Sequence, residues 1–173
     1  MIIIFTGNGK GKTTAALGQA FRSVGEGKKV LMIQFIKGPW KSGEDESAKI
    51  LEPDFKIIKT GLGFVGILGD KLPRAEHEKA AKEGLALAKK EIESGDWDMV
   101  ILDEVNNAVS LGLLQEEDML TLFEKVGKKP EHLVLTGRDA PAEFIERADL
   151  VTEMKDIKHP YEKGIKAKRG LEY

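Results

Sequence analysis

The sequence contains no cysteine, which excludes disulfides, thiolate metal sites and cysteine nucleophiles together. Its three histidines, His77, His132 and His159, are too scattered to suggest a metal-ligand cluster. No apolar stretch approaches the roughly 18–20 residues of a membrane span. The apolar run Met1–Phe5 lacks the basic leader of a signal peptide. We therefore expect a cytoplasmic protein with no membrane partner.

An excess of charge of either sign is also lacking. Lys and Arg together number 27 and Asp and Glu 29, which gives a formal net charge of −2. Any basic site must therefore be local, and we expect no nucleic-acid partner. The chain has 173 residues, and this length predicts a single domain over residues 1–173 with enough chain to bury a sizeable core.

Short apolar runs alternate with helical patterns along the chain. Most of these runs lack polar alternation, as do strands buried on both faces of a parallel sheet. The predicted strands are Ile2–Thr6, Val30–Ile36, Phe55–Thr60, Met99–Asp103, Leu133–Thr136 and Leu150–Met154. The predicted helices are Lys12–Gly25, Arg74–Glu93, Glu116–Val126 and Ala142–Ala148. This order predicts an α/β fold in which helices flank a mostly parallel sheet.

Two predicted loops, Lys37–Asp54 and Gly61–Pro73, are longer than a simple connection needs. Long irregular loops in a compact domain are usually functional or disordered. The last sixteen residues, from Lys158, form a basic tail for which a solvated role and a binding role are equally good interpretations. His77 lies in the charged stretch RAEHEKAAKEG, which predicts a solvated side chain.

The stretch TGNGKGKT, residues 6–13, follows the first predicted strand and opens the first predicted helix. It matches the P-loop pattern G-x-x-x-x-G-K-[ST], except that Thr6 replaces the first glycine. Glycines let backbone N–H groups approach phosphate oxygens, and the helix N-terminus adds partial positive charge. We therefore predict a nucleoside-triphosphate site formed by Gly7, Asn8, Gly9, Lys10, Gly11, Lys12, Thr13 and Thr14.

A magnesium-binding carboxylate is expected at the end of a neighbouring strand. The stretch MVILDE places Asp103 and Glu104 there, so both are candidate Walker B residues, and the hydroxyl of Thr13 completes the candidate metal site for Mg²⁺ or Mn²⁺. The pattern alone leaves open a kinase acting on a small molecule with Glu104 or Asp103 as base, and a nucleotide-driven switch whose long loops grip a protein.

An ordered set of segments resembles the ATP:corrinoid (cob(I)alamin) adenosyltransferases of the bacterial cobalamin pathway. They are GNGKGKTTAALG, QFIKGPWKSGE, GLGF, WDMVILDEV, TGRDAP and the closing ADLVTEMKDIKHPYEKGIKAKRGLEY. The resemblance covers essentially the whole chain. It implies a single P-loop NTPase (RecA-like) domain, ATP as co-substrate, a homodimer, and a reductase or flavodoxin-like electron donor for the reduced corrinoid.

In this family a Co(I) corrinoid attacks the 5′ carbon of ATP and releases triphosphate, with the nucleotide reversed in the loop. Carried over by position, the resemblance implies catalytic roles for Lys12 and Glu104. It implies that Glu104 acts as a magnesium ligand rather than as a base. Phe64 falls at an aromatic position near the corrinoid. Trp40 is a second candidate corrinoid contact, a lid anchor, or a rim aromatic packed on the sheet.

The sequence departs from the family pattern in two places, both on the corrinoid side. Gly66 stands where relatives often carry a second aromatic, and the chain starts at the first strand, where relatives often carry an N-terminal extension. Arg138 follows a predicted strand, which equally favours a phosphate contact and a structural ion pair.

Overall fold

The computed structural model describes residues 1–67, 69–127 and 129–171, and within these ranges six parallel strands form one sheet in the order β3-β2-β4-β5-β1-β6. The strands are β1 (Ile2–Thr6), β2 (Val30–Gln34), β3 (Phe55–Lys59), β4 (Met99–Asp103), β5 (His132–Thr136) and β6 (Leu150–Glu153). The inner strands are almost wholly buried, and β6 is an exposed edge. The predicted α/β fold with a parallel sheet is confirmed.

Strand β5 lies between β1 and β4 in the sheet. Phe5 of β1 pairs with Thr136 of β5, and Leu102 of β4 pairs with Leu135. Because all strands are parallel, the segments that follow β1, β4 and β5 emerge side by side at one edge. The carboxyl edge of a parallel sheet is where ligands bind in open α/β folds.

Helices cover both faces of the sheet. They are α1 (Lys12–Gly25), α2 (Gly43–Ile50), α3 (Arg74–Ser94), α4 (Val105–Ser110), α5 (Glu116–Phe123) and α6 (Ala142–Arg147). Small residues of α1 pack into one core cluster, whereas α3 to α6 pack into the other. Burial of these apolar stripes removes them from water, at roughly 25 cal/mol per Å² of apolar area. In the part of the chain that the structure describes, no helix is both long and apolar enough to cross a membrane.

The element boundaries agree with the predictions within three residues, and two helices were missed. Helix α2 lies inside the predicted loop Lys37–Asp54, so that loop prediction was wrong for Gly43–Ile50. The N–H of Ser42 donates to Asp45 Oδ2 at 2.8 Å, a capping interaction that starts this helix. Helix α4 follows β4 after one residue, so its apolar positions merge with the strand in the sequence.

Candidate functional site

The predicted phosphate loop joins β1 to α1 and is fastened from behind by the segment after β6. The N–H of Gly9 donates to the carbonyl of Met154 at 2.7 Å. A Cβ on Gly9 would lie 2.6 Å from the carbonyl oxygen of Lys155. Glycine is therefore needed here for close packing within the protein, in addition to any approach to phosphate.

Lys12 is folded back into its own loop. Its Nζ donates to the carbonyls of Gly7 and Gly9, each at 2.8 Å, and the residue is only 8% exposed. Burial lowers the pKa of Lys12, and the nearby charge of Glu104 opposes this. The first turn of α1 contains no acidic residue of its own, so the negative charge near its positive dipole end comes from Asp103 and Glu104 of the neighbouring strand end.

Asp103, at the end of β4, is fully buried and is hydrogen-bonded to side chains of β2, β5 and α1. Its Oδ1 accepts hydrogen bonds from the hydroxyls of Thr13 at 2.8 Å and Thr136 at 2.7 Å. Its Oδ2 accepts from Gln34 Nε2 at 3.1 Å, and Lys37 Nζ lies 3.6 Å away. The protein therefore compensates this buried carboxylate with several donors and a cation.

Glu104 turns from β4 into α4 in the left-handed region, with φ at 62°. Its N–H donates to Thr136 Oγ1 at 2.9 Å, so one hydroxyl contacts both acidic residues. Burial, with the adjacent charge of Asp103, raises the pKa of Glu104 to about 6. A non-glycine residue held in this strained conformation is common at functional sites.

A cleft of about 830 Å³ opens over the phosphate loop. Glu104 lines it together with Lys10 and Thr14, so several predicted nucleotide-site residues face one space. Lys37 and Glu44 also line it, and Lys37 Nζ lies 2.7 Å from Glu44 Oε1. Residues 170 and 171 of the basic tail reach the same cleft, which favours the binding interpretation of the tail.

Trp40 and Phe64 form an exposed aromatic pair, with ring centroids 6.0 Å apart and an interplanar angle of 33°. The indole of Trp40 lies against the backbone of two loops, because a Cβ added to Gly38 or to Gly63 would come within 2.8 Å of the ring. Trp40 is 60% exposed, which suits a corrinoid contact and equally a rim position, so its role stays a prediction.

The structure adds four residues that the sequence analysis did not assign to the site: Gln34, Lys37, Glu44 and Thr136. Gln34 and Thr136 are the last residues of β2 and β5. Lys37 lies between β2 and α2, and Glu44 lies in the first turn of α2. Arg138 is exposed, and its side chain makes no ion pair with the residues described, so the structural-pair interpretation is not supported. His159 accepts a hydrogen bond from the N–H of Tyr161 and starts a short 3-10 helix, Pro160–Lys163.

His77 contradicts its prediction. The residue is only 4% exposed, and its Nε2 lies 2.9 Å from Asp70 Oδ2. Its charged neighbours on α3, such as Glu76 and Lys79, are exposed to solvent, whereas His77 contacts Asp70 in the loop that carries Phe64.

The similarity of this chain to known proteins extends over its whole length. The sequence model of the family described as "ATP:corrinoid adenosyltransferase BtuR/CobO/CobP" matches residues 1–173. The chain belongs to this family. The corrinoid adenosyltransferase of Escherichia coli K12 is 38% identical over all of this chain and 85% of its own length. The corrinoid adenosyltransferase CobA of Salmonella typhimurium LT2 is 36% identical over the same shares. That of a Sinorhizobium species is 38% identical over all of this chain and 80% of its own length.

The raised pKa of Glu104 in this adenosyltransferase family member predicts a pH-dependent stability. Below pH 4.5 the carboxyl is protonated in both the folded and the unfolded state. As the pH rises towards 6, the unfolded state loses its proton first, so the free energy of unfolding falls by up to about 2 kcal/mol. Glu104→Gln removes this penalty. We expect the metal-free variant to gain up to about 2 kcal/mol at pH 8 and almost nothing at pH 4.

Urea unfolding at the two pH values, in the presence of a chelator, measures this difference. Glu83→Gln, an exposed change on α3, is the matched control and is expected to alter neither value. An equal gain for Glu104→Gln at both pH values would contradict the assignment.

The two hydrogen bonds of the Thr136 hydroxyl predict that its removal lowers the stability of the protein. Thr136→Val keeps the shape but removes the hydroxyl, which leaves Asp103 and the N–H of Glu104 each short of one partner. We expect the free energy of unfolding to fall by about 1–3 kcal/mol, and the affinity for ATP to fall as well, because Asp103 contacts Thr13 of the phosphate-loop helix.

Thr136→Ser retains the hydroxyl and is expected to keep most of both properties. Urea unfolding and calorimetric titration of the two variants measure them. Equal behaviour of the serine and valine variants would contradict the role assigned to the hydroxyl.

Proposed function

We propose that this chain transfers the 5′-deoxyadenosyl group of ATP to the Co(I) centre of a corrinoid and releases triphosphate. As a member of this family it is a transferase of cobalamin metabolism, with ATP as co-substrate. The observation that carries the proposal is the P-loop cleft in a chain that matches the family over its full length. The family model and the relatives named above give no support to a small-molecule kinase or a nucleotide switch.

The nucleotide side of the cleft suits a reaction whose leaving group is triphosphate. The C5′–O bond breaks and its electron pair leaves with the triphosphate, while a Co–C bond forms with the electron pair of Co(I). The nucleophile has no proton to lose, so no general base is required. The amides of residues 8–14, the N-terminus of α1 and Lys12 stabilise the growing negative charge.

The oxygen donors at this edge fit magnesium. Among the described residues no group of three His, Cys, Asp or Glu side chains forms a cage, and magnesium is ordinarily held by one or two carboxylates plus phosphate oxygens. Gln34 Oε1 is buried without a hydrogen-bond partner in the described part of the chain, which suits a bridging water.

We assign Thr13 and Glu104 as the residues that hold Mg²⁺ or Mn²⁺, and Asp103 as the carboxylate that orients Thr13. When bound, the cation neutralises charge on the triphosphate.

The corrinoid side is proposed to be the exposed pair Phe64 and Trp40. Their flat apolar rings suit the face of a corrin macrocycle, and exposed apolar patches mark binding surfaces. Both follow strands at the carboxyl edge of the sheet, as the phosphate loop does. The two substrates would therefore meet at this edge.

Four further features belong to the proposal. The chain acts as a single domain over residues 1–173, as a homodimer, in the cytoplasm where ATP is available. A reductase or a flavodoxin-like protein supplies the electron that forms Co(I). The family resemblance supports the dimer and the donor, and the full-length family match supports the single domain.

An anaerobic assay tests the proposed reaction. Protein, magnesium, ATP and chemically reduced cobalamin are mixed, and the Co(I) absorbance and the phosphate products are followed together. We expect Co(I) to disappear with an equal amount of triphosphate formed. Stable Co(I) with ADP as product would favour a kinase, and slow turnover dependent on a protein partner would favour a switch.

Lys12→Ala is expected to abolish triphosphate binding, because the variant loses the charge next to the loop carbonyls. Isothermal titration with ATP and with inorganic triphosphate measures this loss. Lys10→Ala removes an exposed lysine of the same loop and serves as the matched control, with a smaller effect. Unchanged ATP affinity in Lys12→Ala would contradict the P-loop assignment.

Phe64→Ala is expected to spare ATP affinity and weaken corrinoid turnover, because the ring lies on the exposed aromatic face. Steady-state kinetics with each substrate varied in turn would separate the two effects. Ile145→Ala, which removes an exposed apolar side chain of α6 outside the cleft, is the control for loss of surface apolar area. Equal loss of affinity for ATP and corrinoid would argue against a corrinoid-specific role.

A further inference from the structure

The buried histidine of α3 has no role in the mechanism described so far. His77 and Asp70 are almost fully enclosed, with side chains 3% and 8% exposed. The backbone donors Gly66 and Leu72, with His77, hold the pKa of the Asp70 carboxyl below its usual range. An ionised carboxylate only accepts hydrogen bonds, so the Nε2 of His77 carries the proton and donates to it.

Asp70 closes the end of the loop that carries Phe64. Its Oδ2 accepts from the N–H of Gly66 at 2.8 Å, and its Oδ1 accepts from the N–H of Leu72 at 3.0 Å. The His77 contact at 2.9 Å joins this small hydrogen-bonded turn to the first turns of α3. One carboxylate therefore fixes three points, two in the loop and one on the helix.

The other end of the same loop is fixed to the sheet edge. The N–H of Gly61 donates to the carbonyl of Gln34 at 3.1 Å, and the N–H of Gly63 donates to the carbonyl of Ile36 at 3.0 Å. Phe64 therefore lies directly after one anchor and before the other. The backbone that carries its ring is therefore hydrogen-bonded on both sides.

Gly66 is shaped for this arrangement. Its φ is 69°, in the left-handed region that side chains other than glycine rarely adopt. This conformation directs its N–H towards Asp70. Glycine therefore allows the backbone to adopt the turn that brings this donor to Asp70.

We propose that Asp70 and His77 form a clip that positions Phe64 against Trp40 for corrinoid binding. The proposal rests on the proposed function, since it concerns the corrinoid side of that reaction. Neither residue touches a substrate, and both are positioning residues. Their effect reaches the corrinoid through the backbone between Gly66 and Phe64 and leaves the phosphate loop unchanged.

His77→Ala tests the clip through kinetics and through exchange. We expect the KM for reduced corrinoid to rise about tenfold, because a small misplacement of a binding group has effects of this order. The KM for ATP stays within about twofold, since the nucleotide-site contacts are untouched. In the ligand-free protein, the amides of Gly66 and Leu72 exchange hydrogen faster than in the wild type.

Conservative variants separate positioning from general damage. His77→Gln offers an amide donor of similar reach and is expected to recover most of the corrinoid KM and of the protection. Asp70→Asn retains one acceptor and is expected to be intermediate, and it serves if His77→Ala does not fold. Glu91→Ala is the matched control on the same helix as His77. It removes the hydrogen bond that Glu91 accepts from Trp97 Nε1 at 2.8 Å, and it is expected to leave both KM values unchanged.

Each outcome decides the proposal. A selective rise in corrinoid KM with faster exchange in the loop, recovered by glutamine, supports it. An unchanged corrinoid KM, or an equal rise in both KM values, overturns it. Absence of adenosyl transfer by the wild-type protein would instead overturn the proposed function, so the two failures are distinguishable.

Discussion

The buried carboxylate of Asp103 is the interaction on which the nucleotide side of the site depends. It is fully buried and accepts hydrogen bonds from Thr13, Thr136 and Gln34. A buried charge is tolerable only when it is compensated in this way, and hydrogen bonds to charged groups contribute about 1.5–3 kcal/mol each. Because the partners come from α1, β5 and β2, the carboxylate fixes the start of the phosphate-loop helix relative to the sheet.

The carboxylate of Glu104, in contrast, is partly buried without such compensation by hydrogen bonds from the described residues. It is held in a left-handed conformation and lines the cleft, and burial raises the pKa of its carboxyl to about 6. Such a group reduces stability in the metal-free protein and is suited to an incoming cation. The two adjacent acids therefore divide the work: Asp103 supports the fold of the site, and Glu104 is proposed to face the metal. On the corrinoid side, the Asp70–His77 pair is proposed to hold the aromatic face in a similar way.

The phosphate loop, the acidic strand end and the α/β order could be predicted because their signals are local in sequence. A phosphate loop can be recognised from glycines and a lysine that lie between an apolar run and a helix. An acidic strand end can be recognised from two acidic residues that follow an apolar run. Thr136 and Gln34 could not, because their place beside Asp103 follows from the strand order β2-β4-β5-β1, which no local pattern encodes. His77 was misjudged for the same reason, since its burial comes from a loop contact rather than from its charged neighbours. Helix α2 was within reach, because Ser42 and Asp45 have the spacing of a capping interaction.

The central claim is that the P-loop of this chain holds triphosphate as a leaving group, so that the C5′–O bond breaks. The most direct measurement uses ATP with ¹⁸O between C5′ and the α-phosphorus, incubated anaerobically with the protein, magnesium and reduced cobalamin. Phosphorus NMR of the products locates the label. The account predicts that the ¹⁸O leaves in the triphosphate as the cobalamin becomes adenosylated. Label retained in ADP or AMP would contradict it, because the bond broken would then be one between phosphorus and oxygen.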